Sequence, residues 1–127
     1  MIHLDTSVLI DAFTGPKRSA APLRNAIDAG ERIALSAVTL YEWLRGPRLA
    51  EEIAAQQGLL PPKTAVPFGP DEAVLAATLY RVVPGARRRV ADLAIAACAL
   101  THGATLWTLN PHDFEDIPDL TFFVAKT

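Results

Sequence analysis

The chain has 127 residues, of which 50% are apolar and 20% are charged, a balance typical of one globular domain spanning 1–127. The net charge of −2 does not by itself indicate a nucleic-acid binder, although most of the basic residues are arginines. No apolar stretch approaches the roughly 20 residues of a membrane span, and acidic residues interrupt the first segment, so we expect neither a membrane protein nor a signal peptide. The single cysteine, Cys98, cannot form an internal disulfide. These features predict a cytoplasmic protein.

The first third of the chain alternates short apolar runs with helical periods. Residues 2–4 are apolar and end at a carboxylate, Asp5, which predicts a buried parallel strand. Thr6 and Ser7 then stand where N-caps of a helical turn are expected. Further elements are predicted as a helix over 20–29, a strand over 33–35, and helices over 38–45 and 48–57.

The remainder continues the alternation after a proline-rich loop. Residues 59–70 predict that loop, with a short strand over 65–67. Helices are predicted over 71–83 and 88–102, and strands over 104–108 and 120–124. Strands that alternate with helices indicate an α/β fold with a mostly parallel central sheet of four to five strands and helices on both faces.

Four acidic residues are candidates for a shared site. Asp5 ends the first predicted strand, and Asp113 follows the strand over 104–108 after a short turn. Sites in open α/β sheets form at the carboxyl ends of the strands, where both residues are expected to lie. Asp92 belongs to the first turns of a strongly apolar helix, and Glu42 lies on the helix after the second strand.

Each acid also has an ordinary structural explanation. Asp5 could cap the following turn, Asp92 could face its helix dipole, and Glu42 and Asp113 could simply be solvated. Together, however, crowded carboxylates repel one another unless a cation joins them. Oxygen ligands suit Mg²⁺ or Mn²⁺, which support hydrolysis of phosphodiesters. The joint placement therefore favours a metal site.

Four segments resemble the four conserved blocks of PIN-domain nucleases. They are LDTSVLI at 4–10, LSAVTLYEWLRG at 35–46, ADLAIAA at 91–97 and TLNPHDF at 108–114, in the same order and with similar spacing. The resemblance implies that Asp5, Glu42, Asp92 and Asp113 are the catalytic, metal-binding acids. It implies Thr6 or Ser7 and Asn110 as polar helpers. Many relatives carry an aspartate at the position of Asn110, so whether Asp113 binds metal directly stays open.

The short length, the Arg-Gly pair at 45–46 and the Ala-Thr-Leu strand at 104–106 look most like the VapC-type toxins. This resemblance implies a metal-dependent endoribonuclease, the toxin of a type II toxin–antitoxin pair, with an antitoxin partner and a homodimeric state. Trp43, Leu44, Leu49 and Ile53 are candidates for the apolar groove that would hold an antitoxin peptide, although core packing also explains them.

The arginines are candidates for contacts with RNA phosphates. Asp11 is a lesser candidate for the rim of the site. An exposed, solvated face is the ordinary explanation for all of these residues. The candidate RNA contacts are Arg45, Arg48, Arg87, Arg88 and Arg89.

Two alternatives come from other functional classes. A phosphoacceptor receiver domain also has an acidic Mg²⁺ site, but it requires a lysine after a late strand and a closing helix. Here Lys126 is followed by a single residue. A PIN-like module that has lost catalysis and only binds RNA or a partner is the second alternative, and Asn110 leaves it open.

Overall fold

Four short parallel strands and six α-helices make up residues 1–126, the part of the chain that this computed structural model describes. The sheet order is β3-β2-β1-β4, and every pairing is parallel, which confirms the predicted α/β fold. No helix in residues 1–126 is both long and apolar enough to cross a bilayer. The strands are β1 Ile2–Leu4, β2 Ile33–Ser36, β3 Ala65–Val66 and β4 Thr105–Trp107, and the helices are α1 Thr6–Phe13, α2 Ala20–Asp28, α3 Ala37–Arg45, α4 Ala50–Leu59, α5 Pro70–Val82 and α6 Val90–Thr101.

The sheet separates two apolar clusters because side chains alternate along each strand. Ile2 and Leu4 of β1 pack with residues of α1 and α2, whereas Leu106 of β4 packs with residues of α5 and α6. Between Ile2 and Leu4, buried His3 points to the opposite face, where its Nε2 lies 3.1 Å from Nδ1 of His102. Helices therefore cover both faces of the sheet, as the sequence predicts.

Helix α6 is the most buried of the helices in residues 1–126. Every side chain from Leu93 to Ala99 is buried, and the alanines in this run let the helix backbone approach its neighbours closely. Burial, with a smaller contribution from the charge of Glu72, raises the pKa of the Cys98 thiol to about 11. Cys98 is therefore an unreactive apolar side chain, as its sequence context predicts.

Several predicted boundaries are wrong. Helix α6 begins at Val90 rather than Arg88, because a short 3₁₀ turn, Ala86–Arg88, follows Gly85 in the left-handed conformation at φ 66°. Helix α4 continues through Gly58, which a helix tolerates at modest cost. Neither Thr6 nor Ser7 is an N-cap; that position belongs to Asp5, which makes no side-chain cap bond.

The strand predicted over 120–124 is also wrong. Only one residue pair, Leu106 with Phe122, forms a parallel bridge there. Leu106 donates its N–H to the Thr121 carbonyl and accepts the N–H of Phe123, and the pairing goes no further. A strand needs a continuous row of partners, and one bridge does not extend the sheet beyond four strands.

Gln56 is a buried amide that joins helix α3 to the end of helix α4. Its Oε1 accepts the indole N–H of Trp43 at 3.2 Å, and its Nε2 donates to the Leu60 carbonyl at 3.3 Å. Gln56→Leu removes the partner of the Trp43 indole N–H and of the Leu60 carbonyl. We therefore expect the free energy of unfolding, measured by urea denaturation, to fall by about 1–3 kcal/mol. Gln57→Leu, at an exposed position of the same helix, is the control and should change it by less than about 0.5 kcal/mol. Equal effects of the two changes would refute a special role for Gln56.

Candidate active site

The centre of the candidate site lies where strands β1 and β4 end. Leu4 pairs with Trp107 in the sheet, so the residues that follow, Asp5 and Thr108, lie side by side. The Thr108 hydroxyl donates to Asp5 Oδ2 at 2.8 Å, and the Asp5 N–H donates to the Trp107 carbonyl at 2.9 Å. Asp5 is buried, with 6% of its surface exposed. The parallel pairing therefore determines the position of this carboxylate.

Ser7 holds the same carboxylate from the first turn of helix α1. Its hydroxyl donates to Asp5 Oδ2 at 2.8 Å and accepts the N–H of Leu109 at 3.0 Å. Ser7 and Thr108 both bond Oδ2, which leaves Asp5 Oδ1 available to another ligand. Two hydroxyls thus orient Asp5 without neutralising its charge.

Glu42 reaches the site from helix α3. The Thr6 hydroxyl donates to Glu42 Oε1 at 2.7 Å, and Arg45 Nη2 lies 3.6 Å from Oε2. The Thr39 hydroxyl, one turn earlier on α3, donates to the Leu4 carbonyl at 3.3 Å and ties the helix to the end of β1. The Glu42 side chain is only 18% exposed. Its orientation is therefore set by Thr6 on one side and an exposed arginine on the other.

Asp92 lies in the first turn of helix α6, where the helix dipole favours a carboxylate. Burial nevertheless raises its pKa to about 6 from the ordinary value of 3.8. Smaller contributions to this rise come from the negative charges of Asp5, Glu42 and Asp113, whereas Arg89 lowers the pKa. The four predicted acids therefore lie within electrostatic range of one another.

The donor chemistry fits a hard divalent cation, since the candidate ligands are all carboxylates and their charges already raise the pKa of Asp92. In residues 1–126, however, no three His, Cys, Asp or Glu side chains are gathered as a ready-made metal site. Charge acts over longer distances than coordination bonds, so both observations hold together. The carboxylates therefore influence one another's charge without forming an assembled coordination site in residues 1–126.

The fourth block lies on an exposed 3₁₀ turn, Pro111–Asp113. Asp113 is exposed, and its N–H donates to the carbonyl of Asn110 at 3.0 Å. The Asn110 N–H donates to the Thr108 hydroxyl at 3.0 Å. Asn110 therefore supports the site through its main chain, which ties the turn to Thr108 and so to Asp5.

The five candidate arginines have different surroundings. Arg87 and Arg88 are exposed on the turn before α6, and the Arg45 side chain is 59% exposed. The Arg48 guanidinium lies 4.4 Å from the ring centre of Trp43 and is partly covered. Arg89 is 18% exposed and bonds Asp116 through two nitrogens. Arg45 pairs with Glu42, and within residues 1–126 only Arg87 and Arg88 of this group show neither an ion pair nor a contact with an aromatic ring.

The candidate groove residues do not form one surface. Trp43 is fully buried and belongs to the core, which confirms core packing as the explanation for this residue and removes it from the groove candidates. Leu44 and Leu49 are 46% and 59% exposed and stay available to a partner.

Asp11 accepts a bond from the Ser19 hydroxyl at 2.6 Å, which joins α1 to the turn before α2. This contact assigns Asp11 a structural role.

Thr108 is the site residue that sequence reasoning missed. The signal was present, because Thr108 ends a strand as Asp5 does. Recognising it required the knowledge that these two strands are neighbours in the sheet, and this pairing joins residues 103 positions apart.

Comparisons with known proteins agree with this arrangement. Residues 2–120 match the PIN domain family. The chain is 31% identical over 119 residues to Ribonuclease VapC19 of Mycobacterium tuberculosis, covering 92% of this chain and 94% of that protein. The fold is similar to that of a chain in DNA-bound VapBC from Salmonella typhimurium, with a TM-score of 0.76, 22% identity and 96% of each chain covered. A toxin-antitoxin complex from Klebsiella pneumoniae contains a chain with a TM-score of 0.69 and 26% identity, covering 95% of this chain and 96% of that one. The match to the family model over residues 2–120 and the relation to Ribonuclease VapC19 show that the chain belongs to the PIN-domain family.

Proposed function

We propose that this chain is an endoribonuclease dependent on Mg²⁺ or Mn²⁺ and the toxin of a type II toxin–antitoxin pair. The observation that carries the proposal is that, in a PIN-domain chain, burial and then the charges of Asp5, Glu42 and Asp113 raise the pKa of Asp92, so the four acids act on one another. The relation to Ribonuclease VapC19 supports RNA as the substrate class. Family membership argues against the receiver-domain alternative, and no α-helix follows β4 in residues 108–126.

The acids have distinct proposed tasks. Asp5, Glu42 and Asp92 would hold the cation, and Asp113 would complete the site directly or through water. Bound there, a divalent cation supplies Lewis-acid activation of water and neutralises charge on the phosphate. Ser7 and Thr108 keep Asp5 oriented, and Thr6 keeps Glu42 oriented. These hydroxyls would hold the carboxylates in the orientations from which they bind the ion.

The surroundings suggest how partners bind. The exposed Arg45, Arg87 and Arg88 would contact phosphates of a single-stranded or looped RNA. Antitoxin binding and homodimerisation are proposed from the likeness to toxin-antitoxin complexes. An antitoxin arginine would fit among the acids, because it replaces the charge of the cation. The cytoplasmic location stays a prediction.

Removal of the metal tests the proposed activity. We expect the purified chain to cleave RNA in Mg²⁺ or Mn²⁺, to lose this cleavage in excess EDTA, and to regain it when the cation is restored. Gel analysis of a labelled single-stranded RNA, with a DNA of the same sequence as control, measures it. The proposal would be ruled out if cleavage continued undiminished in EDTA, or if no RNA were cleaved in the presence of either cation.

The Thr108 hydroxyl should matter for the activity. Thr108→Val keeps the side-chain shape but removes the bond to Asp5 Oδ2, so we expect RNA cleavage to fall about tenfold. Thr105→Val, at the opposite end of the strand that Thr108 follows, should leave the rate unchanged within about twofold. Initial rates at saturating Mg²⁺ measure the effect, and equal rates for the two variants would argue against Thr108 as a support of Asp5.

A PIN-like module that binds RNA or a partner without cleaving is the second candidate. It is favoured by the finding that no three metal-ligating side chains in residues 1–126 are assembled as a site. The two candidates differ in one result: the module binds RNA and releases it intact in Mg²⁺ and in Mn²⁺, whereas the nuclease cuts it.

A further inference from the structure

Arg89 makes contacts that no other arginine of this chain shows in residues 1–126. Its Nη1 donates to the Pro84 carbonyl at 3.1 Å and to Asp116 Oδ2 at 2.9 Å. Its Nη2 donates to Asp116 Oδ1 at 2.6 Å and to the Asp113 carbonyl at 2.8 Å. Planar, two-pronged pairing of this kind holds both partners in a defined orientation.

These contacts join the two segments that carry the third and fourth acids. Arg89 immediately precedes helix α6, and its carbonyl accepts the N–H of Leu93 at 2.9 Å, so it is part of the first turn that presents Asp92. Its guanidinium bonds the backbone of Asp113 itself. One side chain therefore connects the start of helix α6 to the exposed turn Pro111–Asp113, hereafter the acidic turn.

Apart from Arg89, the turn Pro111–Asp113 is supported by the bond from the Asn110 N–H to the Thr108 hydroxyl before it and by buried Phe114 after it. Asp113 is exposed, and its 3₁₀ turn, Pro111–Asp113, is only three residues long. After the turn, Phe114 is anchored in the core. The Arg89 side chain is only 18% exposed, whereas its partner Asp116 is 44% exposed, so the pair lies at the surface with Arg89 on its covered side.

We propose that Arg89 is a positioning residue, which sets the separation of the Asp92 and Asp113 carboxylates by clamping the acidic turn onto the start of helix α6. This inference rests on the proposed function, because it assigns both acids to one cation site. Arg89 would touch neither RNA nor metal. Its role differs from the phosphate contact that the neighbouring arginines suggest.

Mn²⁺ affinity in the absence of RNA tests the clamp. We expect Arg89→Ala to raise the Kd for Mn²⁺, measured from the EPR signal of the free ion, about tenfold or more. Arg89→Lys keeps the positive charge but cannot bond both partners as a planar fork. Its Kd for Mn²⁺ should therefore lie between those of wild type and Arg89→Ala. Asp116→Asn keeps the bond to the Asp113 carbonyl and should weaken binding less than Arg89→Ala. Arg81→Ala, an exposed arginine at the end of α5, is the matched control and should leave the Kd unchanged.

Amide hydrogen exchange gives a readout that does not depend on metal. The Phe114 N–H bonds the Pro111 carbonyl at 2.9 Å and reports on the turn. Arg89→Ala should make this amide exchange faster, with core amides of α6 unchanged. If Arg89→Ala does not fold, the Kd for Mn²⁺ and the Phe114 exchange rate of Arg89→Lys and Asp116→Asn are compared with those of wild type instead.

The results separate the two proposals. In one outcome, the wild-type protein binds Mn²⁺ and cleaves RNA, and the Arg89 variants show the same Kd and the same Phe114 exchange as wild type. That result overturns the clamp and leaves the nuclease proposal intact. In the other outcome, Phe114 exchanges faster in the Arg89 variants, but the wild-type protein neither binds Mn²⁺ nor cleaves RNA. That result supports the contact between Arg89 and the turn, and it overturns both the role of Arg89 in a metal site and the nuclease proposal.

Discussion

Asp92→Asn should abolish RNA cleavage and at the same time stabilise the metal-free protein. We expect the cleavage rate to fall roughly 100-fold or more, because an amide lacks the charge that a hard cation requires. The free energy of unfolding at pH 7 should rise by about 1–2 kcal/mol, since the partly buried carboxylate is repelled by Asp5, Glu42 and Asp113. Loss of function with a gain of stability is expected where like charges are crowded for catalysis.

The stabilisation should depend on pH in a defined direction. The pKa of Asp92 is about 6 in the folded chain and 3.8 as its ordinary value, so the folded state holds the proton more tightly than the unfolded state. The carboxyl therefore destabilises the fold progressively as pH rises from about 4 to about 6, and fully above that range. The difference between Asp92→Asn and wild type should be near zero at pH 4 and greatest at pH 7.

Urea denaturation across this pH range in EDTA measures the difference, and single-turnover RNA cleavage measures the rate. Glu31→Gln, which removes an exposed charge outside the site, is the control and should change neither quantity appreciably. A variant that is less stable than wild type at pH 7 would show that Asp92 is not crowded by the other acids. A variant that still cleaves would remove Asp92 from the catalytic set.

Trp43→Ala should cost more stability than any other change considered for this chain, about 3–5 kcal/mol. Trp43 is fully buried, its ring centre lies 6.0 Å from that of Phe13, and its indole N–H donates to Gln56. Its loss opens a cavity beneath helix α3 and leaves the buried Gln56 amide with one fewer partner. Because the whole domain is marginally stable, much of the population should unfold at moderate temperature.

Tyr41→Ala on the same helix provides the comparison for Trp43→Ala. The Tyr41 side chain is 63% exposed, so its removal should change the free energy of unfolding by less than about 0.5 kcal/mol. Equilibrium urea unfolding, followed by circular dichroism, measures both variants. Similar values for the two would mean that Trp43 does not carry the core packing assigned to it.

The candidate site was predictable in part because its residues follow strands. Asp5 directly follows β1 and Asp113 comes shortly after β4, and parallel strands bring their carboxyl ends to one edge. The environment of each acid was not predictable. Desolvation of Asp92 depends on what packs around helix α6, and the bond from Thr108 to Asp5 depends on which strands are neighbours.

The arginines show the same limit. Arg87, Arg88 and Arg89 form one run in the sequence, yet the first two are exposed and Arg89 is bound to Asp116, 27 residues away. Composition predicts a basic surface for all three. Only the folded chain distinguishes a free guanidinium from one whose donors are already used, because hydrogen-bond partners are set by geometry.

The order of helices and strands, the parallel sheet and the candidate acids follow from the sequence by itself, because hydrophobic periodicity and strand ends are local properties. The tertiary structure alone decided three other matters: that Trp43 belongs to the core, that residues 120–124 contribute one bridge instead of a strand, and that Arg89 holds the acidic turn. Each of these depends on contacts between residues far apart in the chain, and local patterns carry no information about which distant groups will meet.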